Sequence, residues 1–462
     1  MLSRRTVLRL VAASVPAFTV GCAPRPMPID PDEVPESIER FPRTPIAGDM
    51  TSSRVVLAFF VADDSAVTLR MWTGEEVVVD QAIEPSGDGF HKVMIDELEP
   101  GTTYTYVVLG GEAPTFENRS LIGQVRTAPA ADATPPVRIA LAGCIGQGSI
   151  VPDFFLPETM SNPTTEPFAW EVFNQAVDHD LDAVIHLGDQ AYLDFVWSEQ
   201  NGEVAAYLHA WGFYHGGGYR DLYPHAGVYA TWDDHEATDN GRFDPWDMSE
   251  EEVVKLANAQ EAWFKVIPID AMKPGDSPVW RGFQWGGTVE LLLLDCRYEL
   301  TPDQLVSEEQ LQWLLDRIQS SPCRFVCVAT PKPFASITSS TALMQDNADR
   351  WEAHPDQRER VAELIDSLQQ TGVLFVTGDI HMNYLGRLSL EGEAPSERGW
   401  EVCCTSGNSN PLADSLSLDQ FNWVSDQPHL PVITFDAEAE TVHVAFFGSD
   451  GSLAFEQTIE DL

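Results

Sequence analysis

The strongest constraint on this chain is a set of short, almost wholly apolar runs, each ending in a residue able to bind metal or phosphate. Arg138-Ile139-Ala140-Leu141-Ala142-Gly143 ends at Cys144, and Ala183-Val184-Ile185-His186-Leu187-Gly188 ends at Asp189. Gly227-Val228-Tyr229-Ala230-Thr231-Trp232 ends at Asp233-Asp234-His235-Glu236. Val289-Glu290-Leu291-Leu292-Leu293-Leu294 ends at Asp295, and Val373-Leu374-Phe375-Val376-Thr377-Gly378 ends at Asp379-Ile380-His381. Strands buried on both faces read as near-continuous apolar runs. Helical stretches lie between them, and that alternation predicts an α/β architecture. Ser249-Glu250-Glu251-Glu252 and Ser307-Glu308-Glu309-Gln310 read as capping boxes that start helices. A third helix is predicted from Pro355 to Thr371, with Gly372 placed to end it.

In open α/β sheets, ligands bind beyond the carboxyl ends of the strands. One apolar strand ending in Asp is ordinary; packing alone does not explain several ending in acid, thiol or imidazole. Such groups at one sheet edge would repel, or stay protonated, without a cation. Asp189 has two oxygens with which to bridge two metals. Paired metals about 3.5–4 Å apart activate a water and clamp the oxygens of a phosphoryl transfer. His235 is flanked by acids that raise its pKa, which suits a proton donor to a leaving group. Arg297 has two readings, a grip on a phosphate oxygen or a buried ion pair with Asp295. Lys332, between Pro331 and Pro333, is a second candidate for phosphate. Asp295 reads as an orienting acid, His186 and His91 as structural, and the Trp residues 197, 211, 246 and 263 as core or cleft wall.

At these residues the chain resembles a known family. Gly188-Asp189-Gln190-Ala191-Tyr192 matches the GDxxY motif shared by purple acid phosphatases and PhoD-like alkaline phosphatases. Trp232-Asp233-Asp234-His235-Glu236, followed by Asp239-Asn240, is similar to the W-DDHE-x-x-N-N signature of the PhoD-like group. Gly378-Asp379-Ile380-His381 is similar to its GDxH motif, and Ala142-Gly143-Cys144 resembles its S-C motif. Thr405-Ser406-Gly407 falls in a stretch that resembles the family's region near the end, with no role assigned. The resemblance implies a metallophosphoesterase four-layer α/β/β/α sandwich. It also implies that Cys144, Asp189, Tyr192 and His381 hold a ferric iron, while Asp189, Asp234 and Asp379 face a calcium. Asp379 in place of the wider superfamily's His agrees with calcium's preference for oxygen. Asn240 would add an oxygen ligand, and His235 would be the catalytic acid. Substrates would be small-molecule or polymeric phosphate monoesters, diesters or both.

The first part of the chain has a different rhythm. Residues 1–22 carry a basic start (Arg4, Arg5, Arg9), an apolar stretch and a small residue before Cys22. That is an export signal, too short for a membrane span. Ser3-Arg4-Arg5-Thr6-Val7-Leu8 resembles a twin-arginine signal, and Thr19-Val20-Gly21-Cys22 resembles a lipobox that would place a lipid anchor on Cys22. These features imply a bacterial periplasmic or cell-surface location. The alternative is an ordinary signal peptide that contains a Cys. Residues 23–45 are rich in Pro and acid and read as a tether. Residues 46–127 contain short β-rich runs such as Val55–Phe60 and Val67–Trp72, and predict an all-β sandwich. Leu98-Glu99-Pro100-Gly101-Thr102-Thr103-Tyr104 resembles the tyrosine corner of fibronectin-like sandwiches. Residues 137–462 form the expected catalytic domain. Within it, Phe195 to Tyr223, rich in Gly and aromatics, is expected to form a flexible wall over the cleft.

With 72 acidic and 27 basic residues, the net charge is −45. That argues against a stable nucleic-acid complex, which needs clustered Lys and Arg. The seven cysteines have no disulfide-framework spacing, so all but Cys144 are expected mostly in the core. The chain has no G-x-S-x-G elbow and no H-E-x-x-H helix. A rival reading is a non-catalytic cell-surface binding protein with a degenerate metal site. A candidate ligand at every motif, with His235 beside the carboxylates, argues against it.

Overall fold

The computed structural model describes residues 27–30, 33–112, 115–146, 170–238, 247–271, 278–339, 349–368, 372–390, 396, 399–407, 410, 416–417 and 420–462. The export segment with Cys22, and also Asn240, lie outside the described residues. Among the described residues no helix is long and apolar enough to cross a membrane.

Every apolar run singled out above is a strand: Val137–Ala142, Ala183–Leu187, Gly227–Thr231, Val289–Leu293 and Gly372–Thr377. They fall into two sheets. In the first, Ala183–Leu187 lies between Val137–Ala142 and Gly227–Thr231, parallel to both, with Ile185 opposite Leu141 and Tyr229. In the second, Val289–Leu293, Phe325–Ala329, Gly372–Thr377 and Gly399–Cys403 run parallel, with Leu291, Cys327, Leu374 and Trp400 in register. Side chains alternate across each strand. Leu141, Ile185, Tyr229, Leu291, Leu293, Leu374 and Val376 therefore share one core between the sheets. Ala140, Val184 and Ala230 face the opposite way, into a cluster with Trp211 and Trp263 of the helices Val204–His215 and Glu250–Val266. On the second sheet Leu292, Val328 and Phe375 pack against Leu311 and Val361 of the helices Glu308–Ser320 and Pro355–Ser367. The layers are α/β/β/α, preceded by a β-rich sandwich.

Both predicted capping residues cap. Ser249 and Glu252 form the reciprocal box, while Ser307 accepts from the Gln310 N–H. Gln310 departs from the pattern, because its side chain turns away to bond both the N–H and the carbonyl of Asp295. Gly372 does not end the third helix, which stops at Ser367 with Leu368 extended. Gly372 instead opens the next strand, where a Cβ would meet the Leu462 backbone at 2.6 Å.

The sandwich is joined to the body. Ile46–Gly48, Val55–Phe60 and Phe90–Ile95 continue the first sheet beyond Gly227–Thr231, through the parallel pair Gly48 and Val228. The facing sheet holds Glu76–Ile83, Val67–Thr73, Thr103–Glu112 and Thr115–Arg119, with Gly123–Arg126 against Thr103–Glu112. The stretch read as a tether packs against the folded body from Val34 onward: Val34 and Phe41 are buried, the Ser37 N–H donates to the Arg119 carbonyl, Thr44 bonds the His215 carbonyl and Arg43 is buried. At the tyrosine corner the Glu99 N–H donates to the Tyr104 hydroxyl at 2.9 Å. Tyr104→Phe strands that N–H, and is expected to lower unfolding free energy by about 1–3 kcal/mol. The readout is a lower urea midpoint at unchanged slope; an unchanged midpoint would show that the ring's apolar contacts alone hold the corner.

Candidate metal centre

The carboxyl ends of both sheets point to one edge, and the loops leaving them carry the predicted residues. Backbone there is held in a region that side chains seldom adopt. Cys144 has φ 48°, Asp189 51°, Asp379 70° and His381 54°. Left-handed non-glycine residues cost roughly 1–3 kcal/mol each and persist only where their surroundings over-determine them. Those surroundings are visible. Glu236 accepts the N–H groups of Asp189 at 3.2 Å and Asp233 at 2.8 Å, and also that of Gln190, tying two loops together. Gly188 has φ 92°, and a Cβ there would meet Asp233 Cβ at 2.7 Å, so only glycine lets these loops approach. Ser406 N–H donates to the Gly143 carbonyl at 2.9 Å, and Thr405 Oγ1 lies 3.4 Å from the Cys144 carbonyl. The Thr405-Ser406 pair thus grips the Cys144 turn.

Three groups of side chains have ligand atoms that all lie within 4.8 Å of one another: Cys144, Asp189 and His381; Asp189, Asp234 and His235; and Asp233, Asp234 and Asp379. Tyr192 Oη joins the first, 3.2 Å from Asp189 Oδ2 and 3.2 Å from His381 Nε2. The Asp379 N–H donates to Cys144 Sγ at 3.0 Å and links the two sheets at that point. Asp189 and Asp379, expected to face one metal together, do not share a group; Asp234 is the member common to the second and third.

The electrostatics test whether cations belong here. Burial pushes the Cys144 thiol well up, reinforced by Asp189 and Asp379. Burial likewise raises Asp189 and Tyr192, with acidic neighbours adding to it. Left to themselves these groups would hold their protons. A soft thiolate, a phenolate, an imidazole and a carboxylate suit a transition metal, and the all-oxygen Asp set suits a hard cation. The residues present therefore fit two bound metals.

His235 is set up differently. Its Nδ1 lies 2.9 and 3.0 Å from the two oxygens of Asp194. That leaves Nε2 free of Asp194, 3.8 Å from Asp234 Oδ2. The ring stacks on Tyr192 at 4.0 Å. Burial would lower its pKa, but Asp194, Asp234 and Asp189 hold it well above the usual range.

Arg297 and Lys332 sit inside the carboxylate set. Arg297 pairs with Asp233, with Asp234 at 2.9 Å and with Asp349 at 2.9 Å. It does not pair through its side chain with Asp295, the partner in one of its two readings from sequence. Asp295 is an orienting acid: it accepts from Trp232 Nε1 and from the N–H groups of Arg297 and Tyr298. Lys332 Nζ lies 2.6 Å from Asp379, 3.1 Å from Asp233 and 3.1 Å from Asp349. Burial would raise Asp379, but Lys332 and Arg350 hold its carboxyl below the usual range.

The expected flexible wall, Phe195 to Tyr223, is a buried aromatic brace. Tyr214 Oη bonds the N–H and carbonyl of Tyr192, and Tyr219 Oη bonds the Gln190 carbonyl and His186. Trp197, Trp211 and Trp263 are buried with it, while Trp246 lies outside the described residues. The six described cysteines are free and buried. Sequence reasoning missed Asp233, Asp194, Glu236 and Asp349. Asp194 had a signal, standing two residues after Tyr192 in the same turn, and Glu236 lies inside the Asp233–Glu236 run. Asp349 had none.

Comparison with known proteins agrees with this picture. The model of the PhoD-like phosphatase family matches residues 164–449. Alkaline phosphatase D of Bacillus subtilis is 25% identical over 475 residues, covering 91% of this chain and 76% of that protein. A solved structure of PhoD superposes with a TM-score of 0.72 at 21% identity, over 92% of this chain and 90% of the other. A purple acid phosphatase from yellow lupin seeds superposes with a TM-score of 0.59 at 13% identity, over 91% and 75%.

Proposed function

Because the chain belongs to the PhoD-like phosphatase family, and is therefore a phosphoric ester hydrolase, we propose that it is an exported, two-metal enzyme acting on phosphate monoesters, diesters or both. The observation that carries this reading is the single strand-edge cluster in which Asp189 and Asp234 connect three candidate groups, the middle one including His235. Cys144, Asp189, Tyr192 and His381 would hold iron in this reading. Asp189, Asp234 and Asp379 would face calcium, with Asn240 as a further oxygen ligand in this reading. When bound, the metals activate a water and clamp the phosphate oxygens. The protein's own part is to place the acid. Asp194 takes the Nδ1–H of His235 and stabilises its imidazolium, whose Nε2–H is the proton given to the leaving oxygen. Export through residues 1–22, a lipid on Cys22 and a periplasmic or surface location belong to the same proposal.

For Arg297 and Lys332, burial and ion pairs favour a counter-ion role over direct contact with a phosphate oxygen. Lys332→Met tests this. A counter-ion role leaves Asp379 and Asp233 uncompensated, and metal-free stability falls by about 3–5 kcal/mol. A phosphate-contact role instead raises KM at unchanged stability.

Elemental analysis of the purified protein, with monoester and diester assays on the same sample, tests the whole reading. Iron and calcium together with hydrolysis support it, and the ratio of the two activities begins to define the substrate. A metal-free, inactive protein that reconstitution with iron and calcium does not rescue would leave the binding-protein alternative.

A further inference from the structure

Just ahead of the first strand, the chain buries a guanidinium that no acid balances. Arg43 is 8% exposed. Its Nη2 donates to the Leu208 carbonyl, and its guanidinium carbon lies 4.8 Å from the ring centroids of both Phe60 and Phe90. Among the described residues Nη1 has no hydrogen-bond partner and no carboxylate pairs with Arg43. The contrast with Arg297, also buried but held by three aspartates, is sharp. It is sharper still in a chain of 72 acids and 27 bases. The two aromatic faces offset part of the cost of burying this charge. They leave the remaining N–H unsatisfied.

Arg43 lines a small cleft between the sandwich strands and the ends of the helices Val204–His215 and Glu250–Val266. His215, 2% exposed, also lines it, and among the described residues its Nε2 has no partner. No lining residue is acidic. Lys265, on the rim, is already paired with Asp88 at 2.8 Å and Glu261 at 3.6 Å. The cleft is narrow, and its inner part has room for a small occupant of about a water's size. A water would satisfy a donor but not the charge.

We propose that this cleft binds one monatomic anion, chloride in solution, with Arg43 Nη1 and His215 Nε2–H as its donors. The anion ties the segment before the first strand to the helix end and to the sandwich, so its effect is on stability and not on the chemical step.

The primary test is diffraction from crystals of the full chain soaked in bromide, read by anomalous scattering. A bromide peak within hydrogen-bond distance of Arg43 and His215 supports the site; a water or no density there overturns it. The second test compares thermal unfolding in sodium chloride and in sodium methanesulfonate at equal ionic strength, which cancels screening of the acidic surface. Chloride is expected to raise the midpoint by about 2 °C. Arg43→Met and His215→Phe are each expected to abolish that increment. An increment that survives both substitutions overturns the proposal. If neither variant folds, the bromide experiment on the wild type decides.

Discussion

Asp189→Asn is expected to lose both metals together and, with them, at least about a thousandfold of kcat. Asp189 belongs to two of the three ligand groups and is their link between the thiolate side and the carboxylate side. Asn offers one neutral oxygen where the metals need two charged ones. The fold should survive, because Asn tolerates the left-handed backbone that Asp189 adopts at φ 51°. Metal-free stability should even rise, since burial disfavours the charge of Asp189 in the absence of a cation. Metal content, hydrolysis and thermal unfolding on one preparation separate these effects. Retention of both metals with full activity would remove Asp189 from its bridging role.

His235→Ala is expected to cost about 10²–10⁴-fold on esters with poor leaving groups, such as alkyl phosphates. On nitrophenyl esters, whose leaving oxygen needs no proton, the loss should be small. The readout is the slope of log kcat against leaving-group pKa, which steepens in the variant; a parallel loss across the series would make His235 structural. Asp194→Asn should fall between, at about 10–100-fold, because the imidazole keeps its place but loses the charge that stabilises its protonated form. Unchanged metal content in both variants is part of the expectation, since neither side chain is proposed as a ligand.

The strands were readable because burial on both faces leaves an unbroken apolar run in the sequence, as at Val289–Leu293 and Gly372–Thr377. The helix starts at Ser249 and Ser307 were readable because capping is local chemistry over four residues. The helix end near Gly372 was misplaced for the converse reason. That glycine answers to a contact with Leu462, ninety positions away, and not to its own helix. The Phe195–Tyr223 stretch was misjudged in the same way. Glycines and aromatics are compatible with a loose wall or a packed brace, and only contact with Tyr192 and His186 decides between them.

The sequence by itself determined the α/β class, the sandwich ahead of it, and which acids, thiol, phenol and imidazoles stand at strand ends, because burial periodicity and residue chemistry are written locally. The tertiary structure decided the partnerships. Arg297 turned from Asp295 to Asp233 and Asp234, Lys332 came to lie among Asp379, Asp233 and Asp349, and Asp194 was brought against His235. Those pairings depend on how two separate sheets register against each other at one edge. Charges attract through space, so which acid meets which base is set by that registration and not by distance along the chain.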